Sequence, residues 1–187
     1  MKAKTKITML VLSLFFVGIS NINAQCEIQN DYFQAGEEMT YDLYAKLGPF
    51  HTKAGFSTLK TTADTYNSRS VYKVSLIAAS TGTARKLFSL NDTLTSYMTK
   101  NVVPLAFVKD AHEGNDETHE VITYKYNSST DIDINAKRKK NGTDRIDENI
   151  KATNCIYDRM SVVMYARTLD YYSMKKGDEI SVELMSG

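Results

Sequence analysis

The chain has 187 residues, with 23 Lys or Arg and 22 Asp or Glu, so its formal net charge is +1. This length is sufficient for one domain with a sizeable hydrophobic core. The nearly balanced charge argues against sequence-independent nucleic-acid binding, which requires a basic surface, and we expect no nucleic-acid partner.

The N-terminal residues have the pattern of a secretory signal peptide. Three lysines precede an apolar run over 7–19, and Ala24 supplies a small residue at the expected cleavage point. We predict a signal peptide over 1–24, with a retained N-terminal anchor as the alternative. Cleavage leaves 20 basic and 22 acidic residues, so the mature chain is mildly acidic. We predict no transmembrane segment in the mature chain.

Two cysteines, Cys26 and Cys155, lie in the predicted mature chain. In an oxidising compartment two cysteines most often pair, and we predict a disulfide between them. It would tie the mature N-terminus to the start of a predicted helix. The alternative is two unpaired cysteines.

Most of the chain shows the period-two alternation of β-strands. Met39–Leu47 is the first such segment, and Gly55 in the second indicates a bulge or a close backbone contact. Asn141-Gly142 is a strong hairpin signal, and the short turns favour an antiparallel meander. Further strands are predicted over 53–62, 71–79, 93–99, 106–112, 120–126, 131–139, 143–150 and 179–185. Residues 81–90 are ambiguous and include a potential helical turn.

The stretch Cys155–Asp170 predicts one amphipathic helix, at about 156–170. Tyr157, Met160 and Met164 belong to one apolar stripe at helical spacing, and a second stripe lies beside it. We therefore expect a helix buried on most sides, with the strands around it. The predicted fold class is mainly β, a curved antiparallel sheet or partly open barrel packed around this helix.

Three motifs together resemble a known family. They are Phe33-Gln-Ala-Gly-Glu-Glu-Met-Thr-Tyr41, Lys53-Ala-Gly-Phe56, and Cys155-Ile-Tyr-Asp-Arg-Met-Ser161 followed by Tyr165-Ala-Arg167. They are similar to the domain of unknown function 3108 family of exported bacterial proteins. The resemblance implies a predominantly antiparallel β fold in the Gram-negative envelope, either periplasmic or associated with the outer membrane. It implies no reaction.

The resemblance covers essentially the whole mature chain. We therefore expect a single β-rich domain over 25–187. Family members usually continue with further strands after the position of Met185, so this domain is predicted to be truncated at its C-terminus.

Several residues are assigned structural roles. Asp158 is predicted to favour the helix N-terminus or to pair with a buried arginine. Glu37 is predicted to pair with Arg159 or Arg167 on charge sign alone. The structural candidates are Cys26, Gly36, Glu37, Cys155, Tyr157, Asp158, Ser161 and Arg167.

An acidic hairpin tip contains the candidate metal ligands His112, Asp116 and His119. Two imidazoles and a carboxylate are a ligand set that holds zinc, which would support a metal-dependent envelope hydrolase. Strand spacing, however, does not force these side chains to converge as a helical His-Glu-x-x-His motif would. A solvated hairpin tip is the alternative.

Aromatic and basic residues suggest binding surfaces. The tyrosines could line a groove for an amphiphilic ligand, or they could be ordinary sheet residues. The run Lys137–Lys140 would suit anionic lipid headgroups or form a solvated tip before the Asn-Gly turn. The ligand-binding candidates are Tyr41, Tyr44, Tyr72, Tyr97 and Tyr165.

These observations favour a non-catalytic binding or envelope-maintenance module for an amphiphilic ligand or partner protein. No Gly-rich phosphate loop or nucleophilic elbow motif is present in the sequence, and we expect no cofactor. The alternatives are the metal-dependent hydrolase using His112 and His119, and a purely structural assembly factor.

Overall fold

The computed structural model describes residues 26–47 and 50–185, so the predicted signal peptide lies outside the described residues. Eight consecutive strands form one open antiparallel sheet in sequence order. They are β1 (Glu38–Leu47), β2 (Phe50–Tyr66), β3 (Arg69–Ser80), β4 (Leu90–Met98), β5 (Pro104–Glu113), β6 (Asp116–Ser128), β7 (Asp131–Lys140) and β8 (Thr143–Ala152). The prediction of a mainly β fold with a meander is confirmed.

The tight turns explain this strand order. Asn141 and Gly142 have φ of 51° and 75°, the positive values that a two-residue hairpin needs, which confirms the predicted turn. Asn67 and Ser68 also have positive φ, 48° and 63°, and they close the β2–β3 hairpin. Because this turn is so tight, β2 and β3 extend beyond the predicted 53–62 and 71–79.

Gly55 lies where two backbones approach closely. A Cβ atom there would overlap the carbonyl oxygen of Ala79 on β3. The β1–β2 register also shifts between Leu43 and Tyr44, next to the Leu43–Gly55 pair. Both the bulge and the close contact predicted for Gly55 are therefore present.

The sheet has one buried face, the inner face, and one solvent-exposed face, the outer face. Side chains alternate along each strand, so the inner face carries the core residues Val74, Met98, Phe107, Ile122 and Ile134. The outer face carries polar cross-strand pairs such as Ser75–Thr95 and Asn135–Asn149, at 3.1 Å and 3.0 Å.

Helix α1 spans Gly82–Leu87 between β3 and β4, which resolves the ambiguous stretch 81–90. The strand β9 (Ile156–Tyr157) then precedes helix α2, which spans Arg159–Arg167. Helix α2 is thus shorter than the predicted 156–170. It begins after Asp158, whose extended backbone and capping side chain stop the helix from starting earlier.

Helix α2 is covered on most sides, and Val163 is its one exposed residue. Met160, Ser161 and Met164 are buried against the inner face, whereas Val163 is 43% exposed. Thr168 caps the C-terminus of the helix, and its N–H donates to the Tyr165 carbonyl at 2.9 Å. The other residues of α2 are buried or partly buried, as expected for a helix covered on most sides.

The last predicted strand, 179–185, is also much shorter in the structure. Only β10 (Glu183–Leu184) is a strand, and it pairs in parallel with β9. The residues before it are exposed and have no neighbouring strand with which to pair. Alternating residue types were therefore insufficient to make a long strand here.

The predicted disulfide between Cys26 and Cys155 is confirmed. Their Cα atoms are 5.1 Å apart across a sequence separation of 129 residues. Cys26 is buried in the core, so the bond anchors the N-terminal segment over the inner face. A disulfide of this kind is typical of an oxidising compartment outside the cytoplasm.

Candidate functional site

Strand alternation divides the basic run Lys137–Lys140 between the two faces of the sheet. Lys137 and Lys139 lie on the outer face, where they pair with Asp147 and Asp144 of β8 at 3.6 Å and 3.4 Å. Arg138 and Lys140 lie on the inner face. Half of the run therefore forms solvated surface pairs, and the other half enters a cavity.

This cavity, the Glu120 pocket, has a volume of about 470 Å³. Lys109, Glu120 and Arg138 are cross-strand partners on β5, β6 and β7, so their side chains point to the same face. The pocket is lined by Lys109, Thr118, Glu120, Arg138, Lys140, Arg145 and Arg159.

Glu120 lies at the base of the pocket with only 2% of its surface exposed. The first residue of α2, Arg159, donates from Nη1 to Glu120 Oε2 at 3.1 Å. The Arg159 guanidinium also lies over the Phe107 ring, 5.4 Å from its centroid. Glu120 Oε1 accepts no hydrogen bond within the described part of the chain, an expensive arrangement for a buried carboxylate.

The positive charge of the pocket is only partly balanced. At the rim, Lys109 pairs with Glu113 at 3.4 Å and Lys140 pairs with Asp116 at 2.7 Å. Arg138 and Arg145 have no carboxylate within 4.0 Å among residues 26–47 and 50–185. The pocket therefore presents two unpaired guanidinium groups beside a buried hydrogen-bond acceptor.

The sequence contains a signal for this site that the patterns above do not use. In β6, Glu120 alternates in phase with Ile122 and Tyr124, which places a carboxylate on the inner face. A charged residue in a core position normally has a partner or a function. Identifying that partner requires the strand register and the position of α2, neither of which is visible in the sequence.

Asp158 forms the N-cap of α2 and is fully buried. Its Oδ1 accepts from the N–H groups of Met160 and Ser161, both at 2.8 Å, and its Oδ2 accepts from Ser96 Oγ at 2.7 Å. Burial raises the pKa of the Asp158 carboxyl, whereas these donors act in the opposite direction. Because Ser161 Oγ accepts from the Asp158 N–H, the pair forms a capping box.

Glu37 pairs with Arg167, one of its two predicted alternatives. Arg167 Nη1 and Nη2 donate to the two Glu37 carboxylate oxygens at 2.5 Å and 2.8 Å. These hydrogen bonds hold the pKa of Glu37 below its ordinary value. Gly36 precedes it with φ of 98°, and its N–H donates to the Thr61 carbonyl at 2.8 Å. The pair links the start of β1 to the end of α2.

The candidate tyrosines do not share one groove. Tyr72 packs against Phe33 on the inner face, whereas Tyr97 stacks on Tyr66, with ring centroids 5.8 Å and 5.2 Å apart. Tyr165 stacks on Tyr157 at 5.1 Å, and burial raises the pKa of Tyr157 to about 12. Tyr41 and Tyr44 are exposed on β1.

The hairpin histidines are each close to a separate carboxylate. His119 Nδ1 lies 2.5 Å from Asp110, and His112 Nε2 lies 3.7 Å from Glu117. Asp116 instead accepts from Lys140 and from Asn141. In the described part of the chain, no three His, Cys, Asp or Glu side chains are grouped so that they could hold a metal ion.

The fold and the Glu120 pocket define a class: a disulfide-linked, mainly β protein with an open eight-stranded sheet and a cationic inner cavity. A family model described as "Protein of unknown function (DUF3108)" matches residues 39–187, and the chain belongs to that family. No curated protein and no solved structure matches the chain. Within the described residues, the helices are too short or too polar to cross a bilayer.

Proposed function

We propose that this protein is an exported, non-catalytic binding module whose ligand is an amphiphile recognised by its anionic group in the Glu120 pocket. The observation that supports this proposal is the position of Arg138 and Arg145 beside the buried carboxylate of Glu120. Among the described residues, neither arginine has a carboxylate partner, and one Glu120 oxygen accepts no hydrogen bond. The cavity volume lies within the range of small-molecule sites.

The chemistry of the lining favours an oxyanion that also carries a hydrogen-bond donor. Guanidinium groups bind phosphate or carboxylate oxygens in a bidentate manner. A ligand ammonium or hydroxyl group would donate to the Glu120 carboxylate at the base of the pocket. A phosphate monoester with an amine two carbons away combines both groups, and phosphoethanolamine is the simplest such probe.

The lining favours binding over catalysis. Among the described residues, the pocket contains no histidine, cysteine or serine, and Thr118 is its one hydroxyl group. A hydrolytic site would need a nucleophile or activated water with a base beside it. We propose that the ligand also has an apolar part because of where the pocket lies. It is near the end of the sheet at which Leu87 and Phe88 are exposed.

The test is isothermal titration calorimetry on the mature, oxidised chain with phosphoethanolamine and inorganic phosphate. The wild type should bind both, with phosphoethanolamine bound more tightly. The Arg138→Gln/Lys140→Gln variant should lose affinity by about tenfold or more. The matched control, Lys137→Gln/Lys139→Gln, removes the same charge from the same strand and should retain wild-type affinity.

Two outcomes would overturn this assignment. One is the absence of heat with either probe in the wild type. The other is an equal loss of affinity in the two double variants, which would indicate general charge attraction rather than a built pocket. The Glu120→Gln variant separates the roles within the site, because it should reduce the preference for phosphoethanolamine over inorganic phosphate.

Export is part of the same proposal, supported by the N-terminal pattern and the disulfide. We expect the chain to be cut after Ala24 and found in the periplasm or at the outer membrane. Intact mass measurement of protein recovered from the envelope fraction should give a chain that begins at Gln25. Recovery of the uncut chain from the inner membrane would support the retained anchor instead.

A further inference from the structure

We infer that the segment between β3 and β4 docks this protein onto an anionic lipid surface. This segment, residues 82–89, is here named the β3–β4 tip. It contains α1 followed by Leu87 and Phe88, which are 74% and 55% exposed. Single exposed apolar residues are common on soluble proteins, but two large consecutive ones in a turn at the end of a sheet are a feature of interfacial anchors.

Basic residues without carboxylate partners lie near these apolar side chains in the described part of the chain. Arg85 and Lys86 form the last turn of α1, directly before Leu87, and Lys46 lies exposed near the end of β1. None of the three has a carboxylate within 4.0 Å in the part of the chain that the structure describes. Basic residues beside exposed Leu and Phe match the charge of anionic headgroups and the apolar layer beneath them.

The β3–β4 tip is held in place by hydrogen bonds at its base. Gly114 of the β5–β6 turn donates its N–H to the Ser89 carbonyl at 2.7 Å. The Leu90 N–H donates to Ser80 Oγ at 2.9 Å, and the Phe88 N–H donates to the Ala84 carbonyl at 2.8 Å. The exposed side chains are therefore presented by a fixed turn, which reduces the entropy lost on docking.

The surface beside the tip is also apolar. A cavity of about 290 Å³ lies between the tip and the ends of β1 to β3, and its lining includes Leu43, Ala45, Ala54, Ala84, Leu87 and Phe88. Strand direction places the tip at the same end of the sheet as the turns at 114–115 and 141–142. The Glu120 pocket opens near that end, so docking would bring the pocket close to lipid headgroups.

The experiment is co-sedimentation of the mature, oxidised chain with vesicles. One set is phosphatidylcholine alone, and the other contains roughly one third phosphatidylglycerol, an anionic lipid. The wild type should sediment with the anionic vesicles and much less with the neutral ones. Leu87→Ser/Phe88→Ser should lower partitioning by about tenfold or more, because it removes the inserted apolar area. Arg85→Gln/Lys86→Gln should lower it several-fold and weaken its salt dependence.

A matched control keeps this test specific. Ile180→Ser/Val182→Ser removes two other exposed apolar side chains, 44% and 39% exposed, and should leave sedimentation unchanged. Leu87→Ser/Phe88→Ser should retain phosphoethanolamine binding in solution, whereas Arg138→Gln/Lys140→Gln should retain most vesicle binding. Failure of the docking inference is thereby distinguishable from failure of the proposed ligand site.

Three outcomes would overturn the inference. The first is no sedimentation of the wild type with anionic vesicles, and the second is equal sedimentation of the wild type and Leu87→Ser/Phe88→Ser. The third is a wild-type dimer in solution that Leu87→Ser/Phe88→Ser converts to a monomer while neither form binds vesicles. That result would assign the tip to contact with a second copy of the chain.

Discussion

At the scale of single residues, the buried carboxylates are distinguished by how fully their oxygens are satisfied. Asp158 accepts three hydrogen bonds from Met160, Ser161 and Ser96, and it belongs to the architecture of α2. Glu120 accepts one from Arg159, and its other oxygen is buried without a hydrogen-bond partner among the described residues. The sequence indicated a role for Asp158 at the helix N-terminus, but it did not show that Glu120 has its partner on α2.

Substitution of Asp158 should show this structural role. Asp158→Asn should change the free energy of unfolding by less than about 1 kcal/mol, because asparagine is an equally good N-cap. Asp158→Ala should cost about 2–3 kcal/mol, since it removes the cap and leaves the Ser96 hydroxyl unpaired. Urea unfolding of the three proteins measures both values. Equal destabilisation by the two substitutions would contradict the capping role.

The Glu37–Arg167 pair should make stability depend on pH. Because the folded-state pKa of Glu37 is lowered, its contribution is present above the unfolded-state pKa and disappears as the pH falls through the folded-state value. The difference in Tm between wild type and Glu37→Gln should therefore be largest near neutral pH and shrink towards about pH 3. Thermal melts at several pH values provide the measurement.

The neighbouring Glu38 gives a matched control for that series. It pairs with Lys60 at 3.0 Å, but its side chain is 50% exposed, and exposed pairs contribute little. Glu38→Gln should leave Tm nearly unchanged across the same pH range. A similar pH-dependent loss in both variants would point to the net charge of the protein rather than to the Arg167 contact.

At the scale of elements, strands were more predictable than helix ends. Period-two alternation identified the strands of the main sheet because one face is buried and the other exposed. The apolar stripes of the predicted helix gave α2 a start that is too early and an end that is too late. These stripes do not show that Asp158 caps the helix or that Cys155 is held by a disulfide. The predicted strand at 179–185 was mostly wrong because pairing requires a neighbour as well as a pattern.

Two glycines allow a test of backbone constraints within these elements. Gly55→Ala should destabilise the fold by about 2–3 kcal/mol, because the new Cβ meets the fixed carbonyl of Ala79. Gly36→Ala should cost only about 1 kcal/mol, since the added Cβ meets no atom and the destabilisation comes only from the positive φ at this position. Denaturant unfolding should rank them in that order, and the reverse order would contradict the close contact at Gly55.

At the scale of the whole molecule, the disulfide joins two segments that lie outside the main sheet. It links the N-terminal segment to the approach to α2, so it constrains a loop that contains the entire sheet. Cys26→Ser/Cys155→Ser should lower the free energy of unfolding by about 2–4 kcal/mol. A reductant should shift the wild-type denaturation curve by the same amount and leave the variant unchanged. A reductant effect on the variant would show that some other process is being measured.

The Glu120 pocket also belongs to this largest scale, because it is assembled from β5 to β8 and α2. The sequence analysis identified the basic run but gave Glu120 no role. Only the cross-strand register and the return of α2 onto the inner face bring Lys109, Glu120, Arg138 and Arg159 together. Long-range assembly of this kind leaves no local pattern.

The one-sided burial of β7 has a consequence for substitution tolerance. From Ile132 to Ala136, every second side chain is buried, so tolerance for stability should rise and fall with a two-residue period. The inner-face positions continue to Arg138 and Lys140, where the core gives way to the Glu120 pocket. At Arg138 and Lys140, replacements that fold normally should still weaken the proposed binding, so the boundary between the demands of folding and those of recognition falls within a single strand.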